Sequence, residues 1–314
     1  MQPPVLTIGT RGSALALFQA NAVRERLATA HGILPERIAI RVIRTTGDAV
    51  QDRPLAEIGG KALFTKEIEE ALLAGTVDLA VHSAKDVPTQ LPPGLRLAAC
   101  LEREDVRDAF ISDKADSLAT LPPGARVGTT SPRRQALILR ARPDLRIVPM
   151  RGNVDTRLRK LADGQADATV LALAGLKRLG LARHATRIMS EDEFLPAAGQ
   201  GAIAVEIRSD DARVGALLAP VNHADTWVAL AAERAFLDVL DGTCKTPIAA
   251  HAALTGDTIR FRGILARPDG TAAYEEAVTG RRRDAVRIGT RAGEAVSRRA
   301  GADWPGRQGI GQGR

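Results

Sequence analysis

The sequence predicts an α/β protein of two lobes built alike, joined through a hinge and followed by a smaller α+β domain. Three observations predict it. Apolar runs of strand length alternate with helix-period segments through the first two thirds of the chain. The stretch Arg126-Val127-Gly128-Thr129-Thr130-Ser131-Pro132-Arg133-Arg134 echoes Ile8-Gly9-Thr10-Arg11-Gly12-Ser13, each reading strand, Gly-Thr, hydroxyl, basic residue, helix. Beyond Pro247 the alternation gives way to three consecutive strand patterns and one basic helix. At 314 residues the chain also exceeds what one core organises comfortably.

In chain order, Val5 to Gly9 reads as the first strand, and Ser13 as the N-cap of a helix with Ala16, Ala20, Val23 and Leu27 on one stripe. Arg37 to Arg44 alternates like a strand. A long polar, glycine-containing loop from Thr45 to Lys61 follows, of a length that is usually functional or mobile. Phe64 to Leu73 is a helix with acidic first turns that ends at Gly75. It leads into Val77 to Val81, an apolar run that breaks into His82-Ser83-Ala84-Lys85-Asp86-Val87-Pro88. Leu95 to Cys100 is another buried strand. In the second lobe, strands are expected at Leu145 to Val148 and Ala168 to Leu171, and helices at Asn153 to Leu161 and Leu173 to Leu179. Leu195 to Glu206 is a small-residue turn entering a strand, a hinge pattern. Its Gly-Gln-Gly lacks the third glycine of a dinucleotide fingerprint. Asn222 to Leu240 reads as a long helix closed by Asp241-Gly242, with glycine as the left-handed residue. Strands at Ile248–Leu254, Thr258–Ala266 and Thr271–Val278 and a helix from Asp284 to Arg299 complete the third domain, and Gly306 to Arg314 reads as a disordered tail.

Composition narrows the function. The formal net charge of +7 points to an acidic partner. Aromatic residues are only 3% of the chain and no basic run alternates with them, which argues against nucleic acid and for a polyanionic small molecule. No apolar run reaches the length of a membrane span, and Met1-Gln2-Pro3-Pro4 leads directly into a strand, so a cytoplasmic protein without membrane contact is expected. Two cysteines without CxxC spacing exclude a disulfide scaffold, and five scattered histidines give no metal site.

Chemistry is expected where apolar strands end. In open α/β sheets ligands collect at the carboxyl ends of the strands, which brings forward His82, Ser83, Lys85 and above all Asp86, in a short turn held by Pro88. An isolated string of this kind is also an ordinary solvated turn. Arg133 and Arg134 follow a Ser-Pro helix start, where two cations oppose the helix dipole unless something negative lies between them. With Thr129, Thr130 and Ser131 they read as an anion cradle, or else as two snorkelling surface arginines. Arg151 and Arg157 flank Gly152-Asn153 in a second such cluster, and Arg11 and Arg178 add two more guanidiniums near loop or helix starts. Cys244, in Asp241-Gly242-Thr243-Cys244-Lys245-Thr246-Pro247, is a loop thiol beside a lysine, open to roles as a covalent attachment point or as a nucleophile. Cys100 reads as a small buried hydrophobe.

Taken together, Gly9-Thr10-Arg11, Gly59-Gly60-Lys61-Ala62-Leu63-Phe64, His82-Ser83-Ala84-Lys85-Asp86-Val87-Pro88, Arg133-Arg134, Arg151-Gly152-Asn153, Ala174-Gly175-Leu176-Lys177-Arg178-Leu179-Gly180, Gly199-Gln200-Gly201 and Glu233-Arg234 resemble the porphobilinogen deaminase family. The resemblance implies two lobes like those of type II periplasmic binding proteins and a small cysteine-bearing domain. Domain 1 would be 1–101 with 201–219, domain 2 102–200 and domain 3 220–314. It further implies a monomer with dipyrromethane held by a thioether to Cys244, and deaminative condensation of four porphobilinogen units followed by hydrolysis to hydroxymethylbilane. Asp86 would be the catalytic carboxylate, assisting ammonia departure and stabilising the cation that results. Lys85, Ser83, Thr129, Ser131, Arg133, Arg134 and Asp86 would contact the cofactor, and Arg11, Ser13, Lys61, Arg151, Arg157, Arg178 and Gln200 the substrate. A rival reading of the same architecture is a non-enzymatic binder of small anions, which would need neither Asp86 nor Cys244.

Overall fold

The computed structural model describes residues 4–49, 64–242 and 246–301. Its chain divides into two compact units, one of Met1–Val106, Ala174–Ala182 and Gln200–Trp227, the other of Arg107–Leu173, Arg183–Gly199 and Val228–Arg314. Among the described residues the strands are β1 Leu6–Thr10, β2 Ile38–Val42, β3 Leu79–Ser83, β4 Leu95–Cys100, β5 Asp108–Ile111, β6 Arg126–Gly128, β7 Arg146–Val148, β8 Ala168–Ala172, β9 Arg187–Ile188, β10 Ile203–Arg208, β11 Ile248–Thr255, β12 Thr258–Ala266 and β13 Ala273–Arg281.

The first unit holds a sheet ordered β2-β1-β3-β10-β4. Its first three strands are parallel, and β10 runs antiparallel to both neighbours. In the second unit the order β7-β6-β8-β5-β9 repeats that plan, with β6 parallel to β7 and β8 and with β5 antiparallel to β8 and β9. The sequence echo between Ile8 and Arg126 is thus a structural repeat, because the echoed segments are the central parallel strands of two like sheets. Leu79–Ser83 is buried at every position but the last, which is why it reads as one continuous apolar run.

Helix Ala14–His31 covers one face of the first sheet with Ala16, Ala20, Val23 and Leu27, the expected stripe. Ser13 caps its start, and Gly32, at φ 61°, closes its end with an N–H bond to the Ala28 carbonyl. Leu6, Ile8, Leu79, Val81, Ile203 and Val205 pack beneath it in one apolar cluster. Phe110, Val127, Ile138, Val170 and Phe194 form the corresponding core of the second sheet.

The β11-β12-β13 meander packs on the helix Ala285–Ala300, whose buried face is Ala285, Ile288, Gly289, Ala292, Gly293 and Val296. Phe236 and Phe261 meet there with ring centroids 5.3 Å apart. A Cβ on Gly289 would lie 2.0 Å from the Ala232 carbonyl oxygen, so this helix contact requires glycine.

Several expectations are corrected in detail. The long helix starts at Ala224, because Asn222 spends its side-chain oxygen on the Cys100 amide, while His223 Nδ1 accepts the Thr226 amide in the capping role. At its other end the left-handed residue is Asp241, at φ 47°, and not Gly242. Gly242 is closely packed, a Cβ there lying 2.9 Å from Leu237 Cδ2 and 3.1 Å from the Leu237 carbonyl oxygen. Of the loop expected from Thr45 to Lys61, Thr46–Ala49 is one helical turn and residues 50–61 lie outside the described residues, as does the tail Gly306 to Arg314. The strands Asp108–Ile111 and Arg187–Ile188 and the helix Ala212–Leu218 are elements that the apolar pattern did not announce.

Candidate active site

In the first unit the carboxyl ends of β1 and β3 open into a pocket lined by Arg11, Ser13, Gln19, Phe64, Thr65, His82, Ser83 and Asp86 among others. The sheet explains this convergence. β1 and β3 are adjacent and parallel, so both chains leave the sheet on the same edge, where their side chains meet. Ser13 Oγ accepts the Ala16 amide at 3.3 Å as helix cap. The Arg11 guanidinium carbon lies 4.4 Å from the Phe64 ring centroid, a cation–π contact that fixes the side chain over an apolar surface. Buried Gln19 donates from Nε2 to Ser83 Oγ at 2.8 Å.

Asp86 ends a single 3₁₀ turn, Ala84–Asp86, directly after β3. The turn is fixed at its start, where the Ala84 amide donates to the Ala202 carbonyl at 3.0 Å, and at its end, where the Val87 amide returns to the Ala84 carbonyl at 3.3 Å. Lys85 and Asp86 are both exposed, so the turn presents a carboxylate and an ammonium to solvent from a backbone held by the sheet. His82, one residue before Ser83, is instead buried and bonds through Nε2 to Glu206 Oε2 at 3.1 Å.

Arg178 and Gln200 do not line this pocket; they fasten the turn that leads into β10. Arg178 Nη2 donates to the Gly201 carbonyl at 2.7 Å, and burial pulls the pKa of its guanidinium down against the opposing charge of Glu104. Gln200 is buried and donates from Nε2 to the Val106 carbonyl at 2.7 Å. Gly201 has φ 86° and a Cβ there would strike the Glu104 carbonyl oxygen at 2.3 Å, so glycine is required where this turn passes.

The second unit carries the other arginine groups. Thr129, at the end of β6, accepts the Ser131 amide on Oγ1 at 3.1 Å, and Ser131 caps the helix Pro132–Ala141 by accepting the Arg134 amide. The negative partner that Arg133 and Arg134 require is a residue of the chain itself. Arg133 Nη2 donates to Asp108 Oδ2 at 2.8 Å, and Arg134 Nη2 to Oδ1 of the same carboxylate at 2.7 Å. All three side chains are buried, which rules out the reading of two snorkelling surface arginines. Arg133 also donates to the Leu195 carbonyl and lies 5.5 Å from the Phe194 ring centroid. Burial pushes the Asp108 carboxyl up, yet the two guanidiniums outweigh it and hold its pKa down at about 2.

Asn153 caps the helix Val154–Ala162 by accepting the Thr156 amide at 2.9 Å. Around it, Arg157 Nε donates to the Gly152 carbonyl at 2.9 Å and Lys160 Nζ to the Arg151 carbonyl at 3.1 Å, so Arg151 and Arg157 stand on one braced loop. Gly152 adopts φ 119°, and a Cβ there would lie 2.6 Å from Thr156 Cγ2. Gly152→Ala is therefore expected to destabilise the protein by roughly 1–3 kcal/mol, read as a lower midpoint of urea unfolding. An unchanged midpoint would mean that the loop yields freely.

Cys244 and Lys61 lie outside the described residues, as do Thr243 and Lys245. Glu233 of the Glu233-Arg234 motif is a buried structural carboxylate, taking the Gly199 amide on Oε2 and the Ala252 amide on Oε1. Sequence reading missed Asp108, Gln19, Phe64 and Glu206. For Asp108 a signal existed, the unbalanced arginine pair, but nothing local said which carboxylate would answer it. Among the described residues no cluster of side chains could hold a metal ion, and no helix is long and apolar enough to cross a membrane.

The family model described as porphobilinogen deaminase, dipyromethane cofactor binding domain, matches residues 6–216, and that described as porphobilinogen deaminase, C-terminal domain, matches residues 227–297. The porphobilinogen deaminase of Nitrobacter hamburgensis is 62% identical over 295 residues, covering 94% of this chain and 93% of its own. That of Nitrobacter winogradskyi is 61% identical over the same length, with the same coverage. Among solved structures, a periplasmic substrate-binding protein of an ABC transporter from Coxiella burnetii matches 71% of this chain and 94% of its own at 16% identity and a TM-score of 0.44.

Proposed function

The chain belongs to the porphobilinogen deaminase family, and from that premise we propose the residues through which it works. It is a transferase that condenses porphobilinogen on a dipyrromethane cofactor to give hydroxymethylbilane. Membership sets aside the rival reading of a non-enzymatic anion binder.

One observation carries the assignment of the catalytic centre: among the described residues a single carboxylate, Asp86, shares the pocket at the ends of β1 and β3 with Arg11, Ser13 and Ser83. Porphobilinogen bears two carboxylates and an aminomethyl group. A site that takes it needs cationic and hydroxyl donors for the former and one fixed anion near the latter. Arg11 and Ser13 are proposed to hold substrate carboxylates, and Asp86 to face the carbon from which ammonia departs. As the C–N bond breaks, positive charge grows on the pyrrole, and a carboxylate already fixed by the β3 turn stabilises it without reorganising. Asp86 is also proposed as the acid–base group that handles the proton exchanged with the departing amine.

The same donor logic supports a fit to dipyrromethane, whose side chains are carboxylates. When bound, the cofactor supplies the nucleophilic pyrrole carbon onto which units are added. We assign its attachment to the Cys244 thiol and its anchoring to Lys85, Ser83, Thr129, Ser131, Arg133, Arg134 and Asp86. Asp108 holds Arg133 and Arg134 in register, so the pair offers one net positive charge in a fixed orientation. Lys61, Arg151 and Arg157 complete the proposed substrate contacts, and Arg178 and Gln200 are proposed to serve that site through the turn they fasten. Apolar clusters centred under the first sheet, the second sheet and the meander support the proposed domains 1–101 with 201–219, 102–200 and 220–314, the last two sharing one compact unit. A cytoplasmic monomer with no nucleic-acid partner completes the reading.

Incubating the purified protein with porphobilinogen tests this. The expected result is release of one ammonia for each porphobilinogen consumed, with hydroxymethylbilane as product; binding of porphobilinogen without ammonia release would contradict it.

A further inference from the structure

The pocket wall beside Ser83 has a buried ionisable group behind it that the reaction as described does not use. Side chains alternate along a strand, so His82 leaves the opposite face of β3 from Val81 and Ser83. β10 pairs with β3 in the register Ala204↔His82 and Glu206↔Ala80, which puts Glu206 on that same face. The helix Lys66–Leu73 covers it and turns Glu69 inward. His82, Glu206 and Glu69 are all buried, at 5%, 0% and 4% exposure. His82 Nε2 meets Glu206 Oε2 at 3.1 Å, while Glu206 Oε1 and Glu69 Oε1 have no hydrogen-bond partner among the described residues. Two buried carboxylates, each with an orphaned oxygen, pack here beside one imidazole, an arrangement that carries a desolvation cost.

We propose that Glu206, acting through His82, is a positioning residue for the pocket wall beside Asp86, and that Glu69 covers that pair from the helix Lys66–Leu73. The inference rests on the reading that ammonia leaves in this pocket. His82 lines the pocket and lies at the end of the strand that carries Ser83 and the Asp86 turn. Glu206 fixes the tilt of its ring, and with it the last backbone bonds of β3 that set where Asp86 points. The other charges facing the group are Glu67 on the covering helix, which Thr46 engages, and Arg11 and Asp86 across the pocket. Burial pushes the Glu69 carboxyl up, and the negative charges of Glu206 and Glu67 add to that against the Thr65 hydroxyl and His82. When rising pH finally ionises Glu69, two negative charges share a closed space with one imidazole, and the ring or the helix must shift.

The test uses purified enzyme carrying its cofactor. Glu206→Gln keeps an acceptor for the ring but removes the charge. It should lower kcat roughly 10–100-fold, the scale of about 1 Å of misplacement, with KM and the mass of the covalent adduct unchanged. Glu69→Gln, whose side chain does not itself line the pocket, should keep the neutral-pH rate and extend activity to higher pH than the natural enzyme. It should also remove a pH dependence of stability. The folded pKa of Glu69 is raised above the unfolded one, so its contribution is present below the ordinary carboxylate range and lost as pH rises through the raised value. An unchanged kcat in Glu206→Gln overturns the proposal, as does a Glu69→Gln variant with the natural alkaline limb. Should Glu206→Gln not fold, the Glu69→Gln profile decides. Absence of hydroxymethylbilane from the natural enzyme would instead strike the functional reading.

Discussion

Asp86→Asn is expected to lower turnover by roughly 10²–10⁴-fold while leaving the fold intact, the range for loss of a positioned acid or a preorganised electrostatic stabiliser. Asparagine preserves size and one acceptor oxygen but removes the charge, and charge is what the departing ammonia leaves behind to be stabilised. The fold should not respond, because Asp86 is exposed and the turn that carries it is held by backbone bonds from Ala84 and Val87. Asp86→Glu keeps the charge and displaces it, so measurable activity should remain. Single-turnover assays on variants with preassembled cofactor separate this step from substrate binding. Near-normal condensation by the asparagine variant would remove Asp86 from the catalytic role.

The second large effect falls on stability. Asp108→Asn is expected to destabilise the protein by about 3–5 kcal/mol, the cost of removing one partner from a buried ion pair. Here two guanidiniums, Arg133 and Arg134, would be left buried without a counter-charge. The pH dependence has a definite sign. The Asp108 pKa is lowered on folding to about 2, so its contribution is fully present above the unfolded carboxylate value and is lost as pH falls toward that lower value. The natural protein should therefore lose stability through the acid range, and Asp108→Asn should show a smaller loss there. Denaturant unfolding at several pH values checks both. A variant as stable as the natural protein would mean that the arginines find another partner or leave the interior.

What the sequence made legible was what burial writes locally. β12 carries the expected bounds, Thr258 to Ala266, because its pattern is set by the faces it presents to its own neighbours. The helix stripe Ala16, Ala20, Val23, Leu27 was equally plain, yet Gln19 lies on the same buried face and is polar because Ser83, at the end of β3, meets it there. Such a reason is tertiary and leaves no periodic trace. β5 was invisible since four residues are too few to show a period, and β10 gave no hint of its antiparallel direction, which depends on the chain returning to the first sheet after building the second. The site divides in the same way. Asp86 could be found from a strand that ends in polar residues, whereas the Asp108 carboxylate that binds the arginine pair is distant in sequence and identified only by contact. Asp241 shows a finer limit: with Asp and Gly side by side, either could take the left-handed position, and only the folded chain gives it to the aspartate.

The central claim is that growth of the product chain is anchored at Cys244. Intact-mass measurement of the natural protein, of Cys244→Ala and of Cys100→Ala, followed by peptide mapping, tests it most directly. A covalent dipyrromethane adduct on the peptide containing Cys244, retained in Cys100→Ala and lost together with activity in Cys244→Ala, is the predicted result. An adduct that follows Cys100, or an active enzyme whose Cys244 carries no adduct, would contradict it.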